Sequence, residues 1–450
     1  MHKGPSWPKE VNVVESSDSR TGTSVWPMTR RFWVLTHRYA GLFMAFFLIV
    51  AGLTGSILAF DGEIHGWLNP PQRVEAQGQP LLDPFELRER ALALMPHGRI
   101  NAISFQQKPD EASVLRVEPC EDPATGQPYD LAFNTLTLDP YTGAEIERVK
   151  TPDGFWPLTR QNVIPFIVAL HFRLAVPGSI GTWLFGIAAV IWTVDCFIGF
   201  YLTLPAWNRR QTEGTASRVG VRHAWWIRWM PSWLVKWRGS PYRLNFDLHR
   251  ASGLWTWVML FVLAWSSVAF NLGPQVYAPV MKVFFDMQDP YGDRPAVQSP
   301  QPDPVLAWRE AHEFGRQFMA EQARVRGFTV LREDALSYDP EKGLFFYGVR
   351  SDHDVSDEGG GTMVMFDART GEFVGQILPS GQDAGTTITN WILILHMAAI
   401  WGAPFKIFVC VMGVVVAMLS ITGVYLWLKK RRSRVVAQER RTRPAIVSHV

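Results

Sequence analysis

The chain has 450 residues, with 44 Lys and Arg against 41 Asp and Glu for a net charge of +3, and only three Cys. Such a balance gives no support to a nucleic-acid partner, and three scattered cysteines supply no disulfide framework, no CxxC site and no CxxCH attachment of haem. The 20 Trp and 28 Phe gather in apolar blocks, so hydropathy decides the class.

Four runs are apolar enough to cross a membrane: 43–60, 180–204, 253–270 and 405–428. In chain order, a tail over 1–30 carries Lys3, Lys9, Arg20 and Arg30, with Arg31 just beyond it, together with Glu10, Glu15 and Asp18 and no small-residue cleavage site. The first span, over 31–66, is therefore expected to be an anchor and not a removed signal. Residues 67–160 follow, where "PFELRERALALM" has helical spacing and short β-rich runs ("ISFQQ", "SVLRVEP") lead to "LDPYTG", an Asp and Gly turn between strands. Over 161–204, "FIVALHFRLAVPGSIG" reads as a short interfacial helix carrying His171, a Pro and Gly break, and then the second span.

The stretch 205–243 is basic, holding Arg209, Arg210, Arg218, Arg222, Arg228, Lys236, Arg238 and Arg243 against the single acid Glu213. Its Trp226, Trp229, Trp233 and Trp237 fall at helical spacings and predict an interfacial amphipathic helix, with docking of a soluble reductase or quinol as the alternative. A third span over 244–273 leads to 274–385, where "PVLAWREAHEFGRQFMAEQA" is again helical and "GLFFYGV" and "TMVMFDARTGEFVGQI" are again strands. Between them "SDHDVSDEGGG" (351–361, including His353) reads as a solvated hairpin loop. Residues 386–428 repeat the pattern of interfacial helix, with His396, and span. The tail over 429–450 opens "KKRRSR". All three basic segments share one side of a four-span topology, which predicts cytoplasmic termini and two domains on the opposite face.

Internal repetition is the strongest signal. "HRYAGL" at 37–42 answers "HRASGL" at 249–254; "ALHFRLAVPG" and "IGFYLTLP" answer "ILHMAAIWGAP" and "TGVYLWLKK"; "NTLTLDPYTGAEIERV" answers "TMVMFDARTGEFVGQI". Their common order predicts two copies, 30–204 and 244–428, of a unit made of span, α+β domain and span. The expected fold is thus a membrane α-helical protein with α+β outer domains.

Of the eleven histidines, His37, His171, His249 and His396 recur between the copies, and all four lie in or beside spans, where an ionisable group marks function by default. A two-fold axis along the membrane normal would bring His37 to His249 near the basic face and His171 to His396 near the other, some 20–30 Å away if the pairs bracket the hydrocarbon core. Two imidazoles in apolar surroundings suit the axial positions of b-type haem. They fall short of the ligand number that structural zinc, or bare copper or iron, requires. His65 has no counterpart, since Gln275 stands at the matching place, and is a candidate fifth ligand at the outer face. His2, His97, His223, His312 and His449 read as surface residues. Asp195, a lone acid in the second span where the fourth has Leu419, reads equally as a proton relay or as a hydrogen-bond partner of a neighbouring helix. Trp192, Trp257 and Trp265 are the aromatic residues expected between the two levels.

"HRYAGLFMAFFLIVAGLTGSILAF", "ALHFRLAVPG", "IGFYL" and "FDARTG" together resemble the PepSY-associated transmembrane family of iron-regulated inner-membrane proteins, over roughly 30–430. The resemblance implies a haem-containing reductase that releases iron from ferric siderophores in the periplasm, two b-type haems, and ligands at His37, His171, His249 and His396. The electron donor, a quinol or a cytoplasmic reductase, leaves no signature: no GxGxxG or P-loop is in place. Two other readings compete. One is a periplasmic regulatory or binding protein whose membrane part only anchors it; the other is a siderophore or metal transporter, for which the spans offer few polar residues.

Overall fold

A computed structural model describes residues 25–76, 78–151, 154–205, 225–289 and 301–442. His2, His223, His449, Lys3, Lys9 and Arg20 of the N-terminal tail, and Arg209, Arg210, Arg218 and Arg222 of 205–243 lie outside these ranges. Among the described residues, four helices are long and apolar enough to cross a membrane: Arg30–Leu58, Ile180–Thr203, Trp257–Phe284 and Gly402–Val436.

The first is part of α1 (Val25–Leu58), which stops short of the expected 31–66. A turn at Ala59 and Phe60 leads into a separate helix, α2 (Asp61–Leu68), which carries His65. Helix α3 (Pro84–Ala93) begins the first domain. Its start is dictated locally: Oδ1 of Asp83 accepts from the backbone N–H of Phe85 and Glu86, and Pro84 takes the first helical turn, where no N–H is needed. Strands β1 (Gly98–Arg99), β2 (Ala102–Ser104), β3 (Ser113–Arg116), β4 (Glu118–Pro119), β5 (Thr135–Leu138) and β6 (Glu145–Val149) complete it. The short α4 (Val163–Arg173) and the spanning α5 (Ile180–Thr203) return the chain to the basic end, where Nη2 of Arg30 bonds the carbonyls of Leu202 and Leu204.

The third crossing differs from the single span expected over 244–273. It is broken at Thr256 into α6 (Pro241–Trp255) and α7 (Trp257–Leu272). Hydroxyls of Ser252 and Thr256 bond the carbonyls of Leu248 and Ser252, the back-bonding that bends helices. A π-turn over Gly273–Tyr277 joins α7 to α8 (Ala278–Phe284). The second domain holds α9 (Trp308–Arg326), β7 (Val330–Asp339), β8 (Leu344–Ser351), β9 (Thr362–Asp367) and β10 (Phe373–Ile377). Then come α10 (Ala384–Met397) and α11 (Gly402–Thr442), whose helix runs on through the "KKRRSR" segment expected to be tail.

The predicted turns form as their chemistry requires. Oδ1 of Asp139 accepts from the N–H of Tyr141 and Thr142, and Oδ1 of Asp367 from Arg369 and Thr370; Gly143 (φ 66°) and Gly371 (φ 75°) supply the left-handed residue each hairpin needs. The domains, however, are not two separate sheets. β2 of the first pairs antiparallel with β7 of the second, with Ile103 opposite Leu336, giving a five-stranded sheet in the order β10-β9-β8-β7-β2 beside a three-stranded β3-β5-β6. Phe345, Phe366, Leu336, Val349 and Val364 form the core of the larger sheet, under the Ala311, Gly315 and Met319 face of α9.

That junction corrects the surface reading of His312. Its Nε2 lies 2.9 Å from Glu333 and its ring 4.7 Å from the Phe105 ring. His97 is exposed and stacks on Tyr129, as a surface residue can. The 351–361 stretch is the β8–β9 hairpin loop, but it is tied down and not merely solvated. Asp354 accepts from the backbone N–H of Ser351 and Gly361, His353 Nδ1 donates to the carbonyl of Ser380, and the Asp357 N–H donates to the carbonyl of Ala399. Lys406 at the start of α11 reaches both Glu63 of α2 and Glu358 of this loop, at 3.0 and 3.3 Å.

Within the bundle, α1 lies along α11 and α5 along α7. A Cβ on Gly52 or Gly413 would run into the backbone of the opposite helix, and Ser56 Oγ donates to the carbonyl of Cys410 at 2.8 Å. Small residues here let two backbones meet, the usual source of helix attraction where apolar burial gains nothing over lipid. At the basic end, the expected amphipathic helix is cut short: a 3₁₀ turn (Met230–Trp233) holds Trp229 buried, Trp225 joins Trp226 and Trp229 in one aromatic cluster, and Trp237 is exposed.

Fully buried Asp247 anchors this end, with Oδ2 2.8 Å from Arg243 and Oδ1 2.9 Å from Arg250. Asp247→Ala would leave the guanidinium of Arg250 without its anion. Because Arg243 is 44% exposed, a loss near the low end for a broken buried pair is expected, about 3 kcal/mol. Thermal unfolding of the detergent-solubilised variant checks it, and an unchanged midpoint would refute the anchoring role.

Candidate functional site

The bundle brings the four recurrent histidines together as two pairs. His37 on α1 and His249 on α6 have ring centres 6.1 Å apart at an interplanar angle of 64°, and His171 on α4 and His396 on α10 are 6.2 Å apart at 80°. The helices α4 and α10 are short for a local reason. Each is followed by left-handed residues, Leu174 (φ 57°) and Ala175 (φ 53°) in one case and Ala398 (φ 57°) and Trp401 (φ 59°) in the other, so the chain turns sharply before the next span. The break was legible in the Pro and Gly residues; that non-glycine residues take the left-handed positions was not. Helix α4 leans on α1, and α10 on α7.

Every ring is held through Nδ1. Thr54 Oγ1 lies 2.9 Å from His171 Nδ1 while donating its single hydrogen to the carbonyl of Val50 at 2.7 Å, so the imidazole donates to the hydroxyl. Ser266 does the same for His396, at 2.6 Å from Nδ1 and 2.6 Å from the carbonyl of Val262. Nδ1 of His249 donates to the carbonyl of Leu419 and to Thr422 Oγ1, both at 3.0 Å, and the Thr422 hydroxyl in turn donates to the carbonyl of Met418. Nδ1 of His37 meets Asp195 Oδ1 at 2.9 Å. An acceptor on every Nδ1 puts the hydrogen there and the lone pair on Nε2, which makes no hydrogen bond among the described residues. This is the tautomer of a metal ligand with its orienting partner in place.

Thr54 lies seventeen residues after His37, and Ser266 seventeen after His249. These hydroxyls, with Thr422, escaped the reading of the sequence, although laying the two repeats against one another would have matched Thr54 with Ser266. Three of the rings also have a glycine at their edge. A Cβ on Gly199 would stand 3.5 Å from Cε1 of His37, on Gly423 3.4 Å from Cε1 of His249, and on Gly55 3.0 Å from Cε1 of His171. One turn beyond His37, Gly41 has nothing within 4 Å of where a Cβ would be, and the matching Gly253 only a methyl of Leu419 at 3.8 Å. Room is thus kept beside the basic-end pair.

At 1.5 Å per residue along α1, His37 and the Thr54 that holds His171 are about 25 Å apart, which sets the spacing of the two levels. Trp192 lies between them, partly buried against Leu260, Leu263, Met412 and Val416. Trp257 instead bonds the carbonyl of Cys196 and stacks on Phe261, and Trp265 packs on Tyr277. His65 is exposed and joins neither pair. It lines an open cleft of about 720 Å³ with Asp61, Phe155, Phe172 and Arg173.

Thr54→Val keeps the shape of the side chain and removes the acceptor of His171. It should cost about 1–3 kcal/mol, the penalty for an orphaned buried N–H, whereas Thr36→Val, whose exposed hydroxyl bonds only the carbonyl of Phe32, should stay within about 0.5 kcal/mol. Unfolding midpoints of the two variants, measured side by side, test the distinction; equal losses would refute it.

The match to known families falls on the same segments. A family described as the PepSY-associated TM region matches residues 34–430, from just before His37 to just past Thr422. No curated protein matches the chain. Four apolar spans, the two histidine-bearing short helices and the length of that match lead to one assignment: the chain belongs to the PepSY-associated transmembrane family.

Proposed function

We propose that this membrane protein is a b-type dihaem reductase, built from two copies of a unit of span, α+β domain and span, that carries electrons across the bacterial inner membrane to a ferric siderophore in the periplasm. The single observation that carries the reading is the paired imidazoles with every Nδ1 engaged and every Nε2 left over. The ring centres of the two pairs lie 6.1 and 6.2 Å apart, so each pair would offer two imidazole nitrogens to one haem iron. Among the described residues no group of three or more His, Cys, Asp or Glu side chains could hold a bare ion, and a two-nitrogen site suits a metal whose other positions are filled by a macrocycle. His37 and His249 would hold one haem and His171 and His396 the other, and the haems supply one-electron redox chemistry at each level.

The chain's own residues do the rest. Thr54, Ser266, Thr422 and Asp195 keep the ligands in the binding tautomer. The apolar contacts around Trp192 exclude water between the levels. The basic face, read as cytoplasmic by its Lys and Arg, is where a quinol or a soluble reductase would deliver electrons. The joined sheet of the two domains stands on the periplasmic side, where the acceptor arrives. One electron converts Fe(III), held by hard hydroxamate or catecholate oxygens, to Fe(II), which such ligands hold less well, so the metal leaves with its chelator intact.

The purified protein should show a low-spin b-type spectrum, oxidised and dithionite-reduced, with two haems per chain by pyridine haemochrome. His37→Ala and His396→Ala should each leave one haem, and His65→Ala two. Mixed with a ferric hydroxamate and a ferrous-iron indicator, the pre-reduced protein should reoxidise and release Fe(II). A chain without haem after expression with ample haem supply would sink the reading.

A further inference from the structure

Three of the four histidines donate Nδ1–H to neutral acceptors: Thr54 for His171, Ser266 for His396, and the Leu419 carbonyl with Thr422 for His249. Only His37 donates to a carboxylate. Asp195 is 7% exposed, its Oδ1 is 2.9 Å from Nδ1, and it comes from α5, the helix that also sets Gly199 against the edge of the same ring. The matching position in the second half is Leu419, whose carbonyl takes over the role of acceptor. Both halves thus satisfy the ring nitrogen at this helix position, one with a charge and one without.

Resting on the dihaem reading above, we propose that Asp195 is a positioning residue that makes the basic-face haem the lower in potential of the two, so that transfer from the basic face to the domain face runs downhill. A hydrogen bond to a carboxylate is charge-assisted and stronger than one to a neutral oxygen. It draws the Nδ1 proton toward the acid, gives the imidazole imidazolate character and makes Nε2 a stronger donor, the effect of a carboxylate on a metal-bound histidine. A stronger donor and a buried negative charge both favour Fe(III) over Fe(II), and the low dielectric of the site magnifies the second effect. The domain-face pair has only hydroxyl partners, each already polarised toward a backbone carbonyl, so nothing comparable lowers its potential. An electron supplied by a quinol or reduced flavoprotein at the basic face would reach the domain face at a more favourable potential and from there reduce the ferric acceptor by one electron.

The test is a spectroelectrochemical titration of the whole, haem-loaded protein in detergent, with haem counted in each sample. Wild type should titrate in two one-electron steps. Asp195→Asn should keep two haems and raise the lower step by a tenfold or greater change in its reduction equilibrium, about 59 mV for one electron, with the upper step unmoved; Asp195→Glu, which keeps the carboxylate, should restore the lower step. A second measurement leaves Asp195 in place: His396→Ala, which removes only the domain-face haem, should leave the lower of the two wild-type steps. Two haems with unmoved steps in Asp195→Asn, or survival of the upper step in His396→Ala, would overturn the role of Asp195 and leave the dihaem reading standing. Absence of haem from the wild type would overturn both.

Discussion

A neutral imidazole can sit inside a membrane bundle only if its N–H has an acceptor, and the rest of this structure is arranged around that requirement. An unsatisfied polar hydrogen in such a place costs several kcal/mol, so each of the four histidines is matched by an oxygen on another helix: α1 serves α4, α7 serves α10, α5 serves α1, and α11 serves α6. These hydrogen bonds do two things at once. They tie the helices pairwise, and they leave the second nitrogen of each ring with its lone pair.

The packing follows from keeping those partners in register. Helices α1 and α11 approach until Gly52 and Gly413 touch backbone to backbone, which places Thr422 of α11 within reach of His249. The break at Thr256 lets α6 and α7 take different directions, so that His249 and Ser266 can each meet a different helix. Asp247, clamped by Arg243 and Arg250 just below His249, anchors the lower segment. Glycines at the edges of His37, His171 and His249 show that ring position is controlled by what is missing as well as by what is present.

Much of this was legible in the residues. Hydropathy located the spans, repetition picked out the four histidines from eleven, and Asp and Gly chemistry placed the hairpin turns, because each of these signals is local. What escaped was settled by contacts between segments far apart in the chain. The pairing of β2 with β7 joins residues more than two hundred positions apart, and no pattern within Ala102–Ser104 announces it. His312 reads as surface on α9 until Glu333 of β7 meets its ring nitrogen and the β2–β7 pairing brings Phe105 to its ring. The hydroxyls of Thr54, Ser266 and Thr422 look like ordinary small polar residues in an apolar helix; only the helix crossing gives each one an imidazole. His65 stood out by its chemistry, yet α2 turns it into an exposed cleft, where it joins neither pair.

The two halves match most closely where an imidazole has to be held, and differ where charge is added. At the domain-face level the partners are Thr54 and Ser266, two hydroxyls at the same offset with the same bond to the preceding turn. At the basic-face level the matching positions are Asp195 and Leu419, and two residues before the histidines, Leu35 and Asp247. Both acids that break the correspondence are buried, and both lie at the same end of the bundle. Random drift in a pair of equivalent sites has no reason to gather buried charge at one level, and each such charge carries a desolvation cost that a neutral side chain avoids. Asp247 recovers its cost through two arginines. Among the described residues Asp195 bonds only His37, so its place in the bundle is explained by what it does to that ring.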